Sequence, residues 1–244
     1  MTIGRQILGE DPLPLRKSDG WRARPCAVSS TDREGRRMVE HRNDGLPNLL
    51  DQRLAYLLVQ RLRHTRVHPN MLTTLTLLLG IGCAASFLQP GETLHWLGAL
   101  CFMLAVFTDH LDGELARQTG KTSRFGHLYD FLVGGLNYTL LFASMGIGLA
   151  DREGRWTAVL GIAAALCNPL IMTLRVRMDN AFGLEATEHP TFGWFNLEDF
   201  IYTIGPITWV WGAVYFFVPF AFGTLAYLGW TCLEYRKWFG RERA

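Results

Sequence analysis

Long apolar runs separated by short polar connections are the feature that most restricts the fold of this chain. Each of six runs consists mostly of apolar residues: 71–89, 94–116, 126–149, 156–176, 199–212 and 213–234. A helix needs about 20 apolar residues to cross the hydrocarbon layer of a membrane, and most of the runs reach that length. The fifth run is shorter and contains Gly205 and Pro206. The sequence therefore predicts an all-α integral membrane protein with about six transmembrane helices.

Charge is distributed unevenly along the 244 residues. Residues 1–66 hold 13 of the 24 Lys and Arg residues, so the remainder is more apolar than the overall composition suggests. A formal net charge of only +2 excludes a strongly basic nucleic-acid binder, and we expect no nucleic-acid partner. The five cysteines have no zinc-like or CxxC spacing and indicate packed apolar side chains.

Three segments are predicted from these patterns. Residues 1–44 mix Arg, Asp, Gly and Pro without periodicity, as expected of a flexible cytoplasmic extension. Residues 45–66 alternate apolar and basic residues at helical spacing, which favours an amphipathic helix in the headgroup layer with its arginines on anionic lipid. A surface helix of the extension is the alternative. Residues 67–244 form the predicted six-helix membrane domain. No apolar run with a small-residue cleavage site precedes them, so we expect no signal peptide.

The positions of Lys and Arg predict the orientation of the six helices. Basic residues cluster in the N-terminal part, after the second and fourth helices, and in the C-terminal tail. The opposite side receives only Arg152 and Arg155. Because positive residues favour the cytoplasmic side, both termini and these loops are predicted to lie in the cytoplasm.

Acidic residues cluster where the second predicted helix ends and the third begins. Asp109 and Asp112 are three residues apart and Ala116 follows four residues later, so all three share one helix face. Asp130 begins the next helix, close enough in a hairpin to face that pair. Carboxylates inside a membrane helix are energetically costly and indicate function. Three converging carboxylates require a cation, and oxygen-only ligation favours Mg²⁺ or Mn²⁺.

Small and polar residues beside these acids favour a phosphate ligand. Gly113 and Ala116 leave room against the helix, and Arg117 and Ser123 offer donors for phosphate oxygens. A chance group of interfacial aspartates balanced by nearby basic residues is the alternative. Three carboxylates at one depth, with small residues on the same face, favour a metal–phosphate site. His110 lies a quarter-turn off that face and is expected to pack or to support the site.

The pattern Asp-x2-Asp-Gly-x2-Ala-Arg-x8-Gly-x3-Asp resembles the signature of the CDP-alcohol phosphotransferases. Its positions here are Asp109, Asp112, Gly113, Ala116, Arg117, Gly126 and Asp130. Ser123 stands where the family usually has Ser or Thr, and residues 68–73 are similar to the Pro-Asn-x-Leu-Thr that opens the family's first helix. The resemblance covers about residues 66–234 and leaves out the N-terminal extension.

The resemblance implies an enzyme that transfers a substituted phosphate from a CDP-linked donor to an alcohol acceptor and releases CMP, in phospholipid or related polar-lipid synthesis. It implies two Mg²⁺ or Mn²⁺ ions on Asp109, Asp112 and Asp130. The positions that it implies for CDP contacts are Gly113, Ala116, Arg117, Ser123 and Gly126. It also implies a homodimer that contacts membrane lipids. The expected location is the cell (inner) membrane, with the site on the cytoplasmic side.

One position departs from the family's pattern. The motif ends with a fourth Asp, which adds a metal ligand and is the presumed general base, and here that position is Gly134. His127, one turn before Asp130, is one candidate for the base, and Glu198 and Asp199 at the start of the fifth helix are others. The remaining alternative is an impaired family member that binds nucleotide or lipid, or serves as a partner subunit.

Two further features complete the sequence-based hypotheses. Arg175 and Arg177 close the fourth helix, where they can bind a phosphorylated acceptor or anchor the helix at the membrane surface. A cation-coupled transporter that uses the same acids is the alternative from another functional class. The acids cluster at one helix end, whereas coupling sites usually lie near the midplane, and this position disfavours the transporter.

Overall fold

The structure is a computed structural model, and helices account for nearly all of the residues that it describes. The described residues are 50–65, 67–182, 191–192 and 195–241, with side chains for 54–65, 67–182 and 200–240. The predicted extension, 1–44, lies outside them. The helices are α1 Leu50–Leu62, α2 Pro69–Leu88, α3 Glu92–Thr119, α4 Arg124–Gly148, α5 Ala150–Glu153, α6 Trp156–Phe182, α7 Ile204–Val210 and α8 Ala213–Arg241. A 3-10 helix, Leu197–Thr203, precedes α7.

A short strand pair lies between α6 and that 3-10 helix. Strands β1 Thr191–Phe192 and β2 Phe195–Asn196 pair antiparallel, with Thr191 opposite Asn196 and Phe192 opposite Phe195. With two residues in each strand, the pair does not change the fold class.

Five helices of the described chain are long and apolar enough to cross a membrane: α2, α3, α4, α6 and α8. Large apolar side chains on their outer faces are exposed, such as Leu78 at 59%, Leu166 at 66% and Phe222 at 56%. Such faces are stable in contact with lipid rather than water. The prediction of an all-α integral membrane protein is confirmed. The 3-10 helix and α7 together occupy the predicted fifth span and are shorter than a full crossing, so the count of six stays a prediction.

Helices α6 and α8 run furthest past their predicted ends. α6 continues from residue 176 to Phe182, and α8 continues from residue 234 to Arg241. The predicted ends marked the points where apolar character falls. A helix can extend beyond the hydrocarbon layer because its backbone hydrogen bonds are internal, so hydropathy reports depth rather than the helix terminus.

Polar caps and a glycine define the helix ends near the acidic cluster. α2 begins at Pro69, where Nδ1 of His68 accepts a hydrogen bond from the Asn70 amide at 3.4 Å. α3 ends at Thr119 and is capped by Gly120, whose φ of +66° is a left-handed conformation that glycine adopts without strain. Ser123 then caps α4, its Oγ accepting from the Gly126 amide at 2.9 Å.

Close packing of small residues holds α4 against α6. A Cβ atom at Gly146 would lie 2.6 Å from the carbonyl oxygen of Thr157 and 2.7 Å from the Cα of Gly161. The two backbones therefore touch at a separation that any larger residue would increase, as is typical of membrane helix pairs. Around this contact lies the apolar core, in which Phe87, Phe102, Phe142, Phe216 and Phe217 are buried.

The ends of the helices meet in two groups. Nε1 of Trp209, at the end of α7, donates to the carbonyl oxygen of Trp96 near the start of α3, at 3.3 Å. At the other end, the hydroxyls of Thr74 in α2 and Tyr129 in α4 are 3.1 Å apart. We call this second end the site end. Because α7 finishes at the opposite end, α8 runs back toward the site end.

Helix α1 packs on the outside of this bundle. Ala55 and Val59 are buried against α3, whereas Leu57 and Leu58 are exposed. The helix lies within the predicted segment 45–66, and its contact with the membrane surface stays a prediction.

Candidate functional site

Three aspartates converge at the site end. Asp109 and Asp112 lie one turn apart in α3, and Asp130 lies in the second turn of α4. Each offers a carboxylate oxygen within 4.8 Å of the other two, an arrangement that can hold a metal ion. Asp112 is buried, whereas Asp109 and Asp130 are partly exposed. The hairpin geometry expected from the sequence therefore brings the three side chains together.

A threonine from a third helix supports the most buried of these acids. The Oγ1 of Thr73 donates a hydrogen bond to Oδ2 of Asp112 at 2.7 Å, and both side chains are 2% exposed. Thr73 is the last residue of the Pro-Asn-x-Leu-Thr segment at the start of α2. The sequence marked that segment as a motif but gave this hydroxyl no role.

Residues of the predicted CDP contact surround the turn between α3 and α4. Arg117 makes two hydrogen bonds to Oε2 of Glu114, from Nε at 3.0 Å and Nη2 at 2.8 Å. A Cβ at Gly113 would lie 3.4 Å from Nη1 of Arg117, so the guanidinium packs beside this small residue. Ala116 is partly exposed one residue before Arg117.

Gly126 sits where the starts of α2 and α4 meet. A Cβ at this position would lie 3.0 Å from both Oδ1 of Asn70 and Oγ of Ser123. A larger residue would therefore require the side chains of Asn70 and Ser123 to shift. Ser123 itself acts as the cap of α4, and its contact with CDP stays a prediction.

A cavity of about 890 Å³ extends from the aspartates into the bundle. Its polar rim includes Asp109, His110, His127 and Asp130, and its deeper walls carry apolar side chains such as Phe102, Phe142, Ile171 and Phe220. His110 thus lines the same cavity as Asp109 and Asp130, although the sequence places it a quarter-turn off the helix face of Asp109 and Asp112. A polar mouth that leads to an apolar interior suits an amphiphilic ligand.

The structure separates the two arginines of α6. Arg175 is 8% exposed and lines the cavity, whereas Arg177 is exposed and does not. Nη2 of Arg175 lies 3.4 Å from Oε2 of Glu234 in α8, and its guanidinium carbon lies 5.1 Å from the centre of the Tyr227 ring. The structure therefore brings Arg175 to the aspartates' cavity and leaves Arg177 outside it. Neither Glu234 nor Tyr227 was identified from the sequence.

Of the three candidates for a general base, only His127 has a side chain that the structure describes. His127 lines the cavity. Glu198 and Asp199 belong to the 3-10 helix Leu197–Thr203, but their side chains lie outside the described part of the structure. Their chain neighbours Phe200 and Ile201 line the cavity.

Open space surrounds Gly134, the position at which the chain lacks the fourth Asp of the family's motif. Gly134 lines the cavity one turn after Asp130, and a Cβ built there meets nothing within 4 Å. The first atom of a side chain at this position would therefore meet no described neighbour.

Comparison with known proteins agrees with this geometry. The family described as CDP-alcohol phosphatidyltransferase matches residues 66–231. A relative, the CDP-diacylglycerol–glycerol-3-phosphate 3-phosphatidyltransferase of Cereibacter sphaeroides, is 42% identical over 65 residues, which are 25% of this chain and 28% of that protein. The matched part is thus a minor share of the relative's length. The family match, in contrast, covers helices α2 to α7, much of α8 and both motifs, and the chain belongs to the CDP-alcohol phosphatidyltransferase family.

Proposed function

We propose that the protein transfers a substituted phosphate from a CDP-linked donor to an alcohol, with release of CMP, in phospholipid or related polar-lipid synthesis. The observation that carries the proposal is the convergence of Asp109, Asp112 and Asp130 at the mouth of a cavity with apolar walls. The acids can bind the metal of a metal–diphosphate complex, and the walls can receive the apolar part of a lipid.

The three acids form a suitable set of ligands for a divalent ion. Their oxygens are hard donors that suit Mg²⁺ or Mn²⁺, and Thr73 fixes the orientation of one of them. One or two ions bound there would offset the charge of the diphosphate and stabilise the leaving group.

The residues of the chain then have separate tasks in the reaction. In the transfer, the acceptor's hydroxyl oxygen forms a bond to the β-phosphorus, and the bond from that phosphorus to the bridging oxygen breaks. CMP leaves with the electron pair, and the acceptor's proton passes to His127, Glu198 or Asp199. Arg117 can donate to the donor's phosphate oxygens, because its side chain is 52% exposed beside its contact with Glu114.

The same cavity is lined by an anion-binding group from α6. Arg175 lines the cavity that the aspartates open into, and a buried guanidinium binds phosphate strongly. We therefore propose an acceptor that carries a phosphate. The relative is named for CDP-diacylglycerol and glycerol 3-phosphate, and this pair is the first to test.

Two further assignments belong to the proposal. Both termini and the site lie on the cytoplasmic side of the cell membrane, an orientation supported by the distribution of basic residues. The chain forms a homodimer, as its family resemblance implies.

Gly134 supports a second candidate function. If the lost carboxylate has no replacement, the protein binds a CDP-linked donor or lipid without turnover. This candidate rests on the open space at Gly134, which no described side chain fills.

Release of CMP tests the proposal. Purified protein is incubated with Mn²⁺ and a panel of CDP-linked donors and alcohols, and CMP is followed over time. Turnover that requires both the metal and an alcohol supports the enzyme. Metal-dependent binding of CDP without turnover across the panel supports the binding protein, and the absence of both contradicts the two candidates.

A further inference from the structure

A second cavity lies at the end of the bundle opposite the site end. Its volume is about 330 Å³, and its walls come from the start of α3, from α5, from the end of α7 and from the start of α8. His95, which lines it, lies 14 residues before Asp109 on α3, or about 21 Å along the helix. No residue lines both cavities. The second cavity is therefore separate from the aspartates and from their ligand.

Two buried polar side chains line this second cavity. Thr208 is 1% exposed, and its Oγ1 has no hydrogen-bond partner among the residues that the structure describes. Nε2 of the buried His95 lies 3.2 Å from the carbonyl oxygen of Gln89. A carbonyl only accepts, so Nε2 donates and Nδ1 of the neutral ring is an acceptor. A buried hydroxyl without a partner destabilises a fold, and a polar ligand that bonds to it removes that cost.

Charged groups of both signs line the cavity as well. Nη2 of Arg152 lies 3.7 Å from Oε1 of Glu92, and the two side chains are 58% and 70% exposed. Because this distance is longer than a hydrogen bond, the guanidinium keeps donors for a further anion. Glu153 adds a second carboxylate, so two carboxylates and one guanidinium give the charged lining residues a formal sum of −1. A ligand that carries a cation beside its anion suits this lining better than a purely anionic one.

Aromatic side chains form much of the remaining wall. They are Trp96, Trp209, Trp211 and Tyr215. Nε1 of Trp209 donates to the carbonyl oxygen of Trp96 at 3.3 Å, which holds the end of α7 against α3. Trp and Tyr are enriched at the level of the lipid headgroups, and their ring faces attract ammonium groups. The cavity is therefore expected at headgroup level, with walls that suit a cation.

We propose that this cavity binds the headgroup of a phospholipid that carries both a phosphate and an ammonium group. The lipid belongs to the leaflet opposite the catalytic site, and phosphatidylethanolamine is its simplest representative. Its phosphate accepts hydrogen bonds from Arg152 and from the hydroxyl of Thr208, and its ammonium group lies by the carboxylates of Glu92 and Glu153 and the aromatic rings. This site goes beyond the proposed transfer reaction and does not depend on it.

Retention of lipid by the purified protein is the direct test. The full chain is reconstituted with equal amounts of phosphatidylethanolamine and phosphatidylglycerol of matched acyl chains, extracted into mild detergent and measured by native mass spectrometry. Wild type should retain one phosphatidylethanolamine in preference to phosphatidylglycerol. Thr208→Val, which keeps the shape and removes the hydroxyl, should retain about fivefold less. Equal or greater retention of phosphatidylglycerol by wild type, or unchanged retention in Thr208→Val, would overturn the proposal.

Matched variants separate the cavity from general effects of substitution. Thr231 is also buried in a membrane helix, but its hydroxyl donates to the carbonyl oxygen of Tyr227 at 2.9 Å and it lies outside the cavity. Thr231→Val should therefore retain the lipid as wild type does, and Thr208→Ser should restore most of the retention. If Thr208→Val does not fold, Arg152→Gln replaces it, because that side chain is exposed, and it should lower retention. Arg155→Gln, outside the cavity, is its control and should not.

Thermal unfolding in lipid nanodiscs is the second readout. Replacing part of a phosphatidylglycerol bilayer by phosphatidylethanolamine should raise the melting temperature of wild type more than that of Arg152→Gln, because only wild type has the complete site. A change in the bilayer as a whole would raise both melting temperatures equally, and that result contradicts the proposal.

These readouts are independent of turnover. If no CDP-linked donor is turned over but phosphatidylethanolamine is retained through Thr208 and Arg152, the headgroup site stands and the transferase proposal fails. If CMP is released but the variants retain the lipid as wild type does, the transferase stands and the headgroup site fails.

Discussion

The hydroxyl of Thr73 lies 2.7 Å from Oδ2 of Asp112 and joins the start of α2 to the acidic face of α3. Both side chains are almost fully buried, so water cannot replace this bond. The bond holds in place the Asp112 carboxylate, which is one of the three that can hold a metal ion. Groups that orient a ligand in this way affect metal affinity without touching the metal.

Thr73→Val should weaken metal binding more than it destabilises the protein. Valine keeps the shape of threonine and removes only the donor. We expect the Mn²⁺ concentration at half-maximal donor binding to rise about 10–100-fold, the usual effect of removing such a partner. Thr73→Ser, which restores the hydroxyl, should return most of the affinity. If Thr73→Val binds Mn²⁺ and donor as wild type does, the hydrogen bond has no part in ordering the site.

The three aspartates should behave as one unit. Asp109→Ala, Asp112→Ala and Asp130→Ala should each reduce CMP release to background and abolish metal-dependent CDP binding. Double variants should be no worse than single ones, because each ligand serves the same ion. Asp151→Asn at the opposite end is the control and should retain turnover. Near wild-type binding and turnover in any of the three variants would remove that residue from the ligand set.

Local patterns predicted the parts of this site that lie close in sequence. Asp109 and Asp112 share a face because they are one helical turn apart, and Asp130 joins them because the connection between α3 and α4 is short. The caps His68 and Ser123 likewise act within two or three residues. Such features follow from helix geometry alone.

Contacts between distant segments could not be predicted in this way. Thr73 lies 39 residues from Asp112, and Glu234 lies 59 residues from Arg175. These pairs depend on which helices pack together and on their rotation, which hydropathy does not specify. Arg177 shows the same limit, since it was paired with Arg175 by sequence, yet the two residues point in different directions on the helix.

Topology can be tested by the accessibility of two single cysteines. In a chain whose natural cysteines are replaced, Lys237→Cys in α8 and Glu153→Cys in α5 lie at opposite ends of the bundle and are both exposed. An impermeant maleimide added to sealed cells should label residue 153 and not residue 237. Permeabilised cells should allow labelling of both and serve as the control. Labelling of both residues in sealed cells would contradict the six-span arrangement. The first part to revise would be the predicted fifth span, the short segment before α8.

The identity of the general base is open to a parallel set of substitutions. His127→Gln, Glu198→Gln and Asp199→Asn each remove one candidate proton acceptor. Loss of the true base should lower kcat by about 10²–10⁴-fold with little change in donor affinity. If none of the three lowers turnover, the bound metals activate the alcohol without a protein base.

Gly134→Asp distinguishes the active enzyme from the impaired family member. A Cβ at this position enters open space in the cavity that Asp130 also lines, one helical turn away, so we expect the new carboxylate to reach the metal site. In an enzyme that already has another base, we expect at most a modest gain, or a loss from added negative charge beside three aspartates. Gly134→Asn, with the same shape and no charge, separates the effect of charge from that of volume. A wild type that is silent across the donor and acceptor panel, together with CMP release by Gly134→Asp, would show that the natural protein had lost its base and binds without turnover.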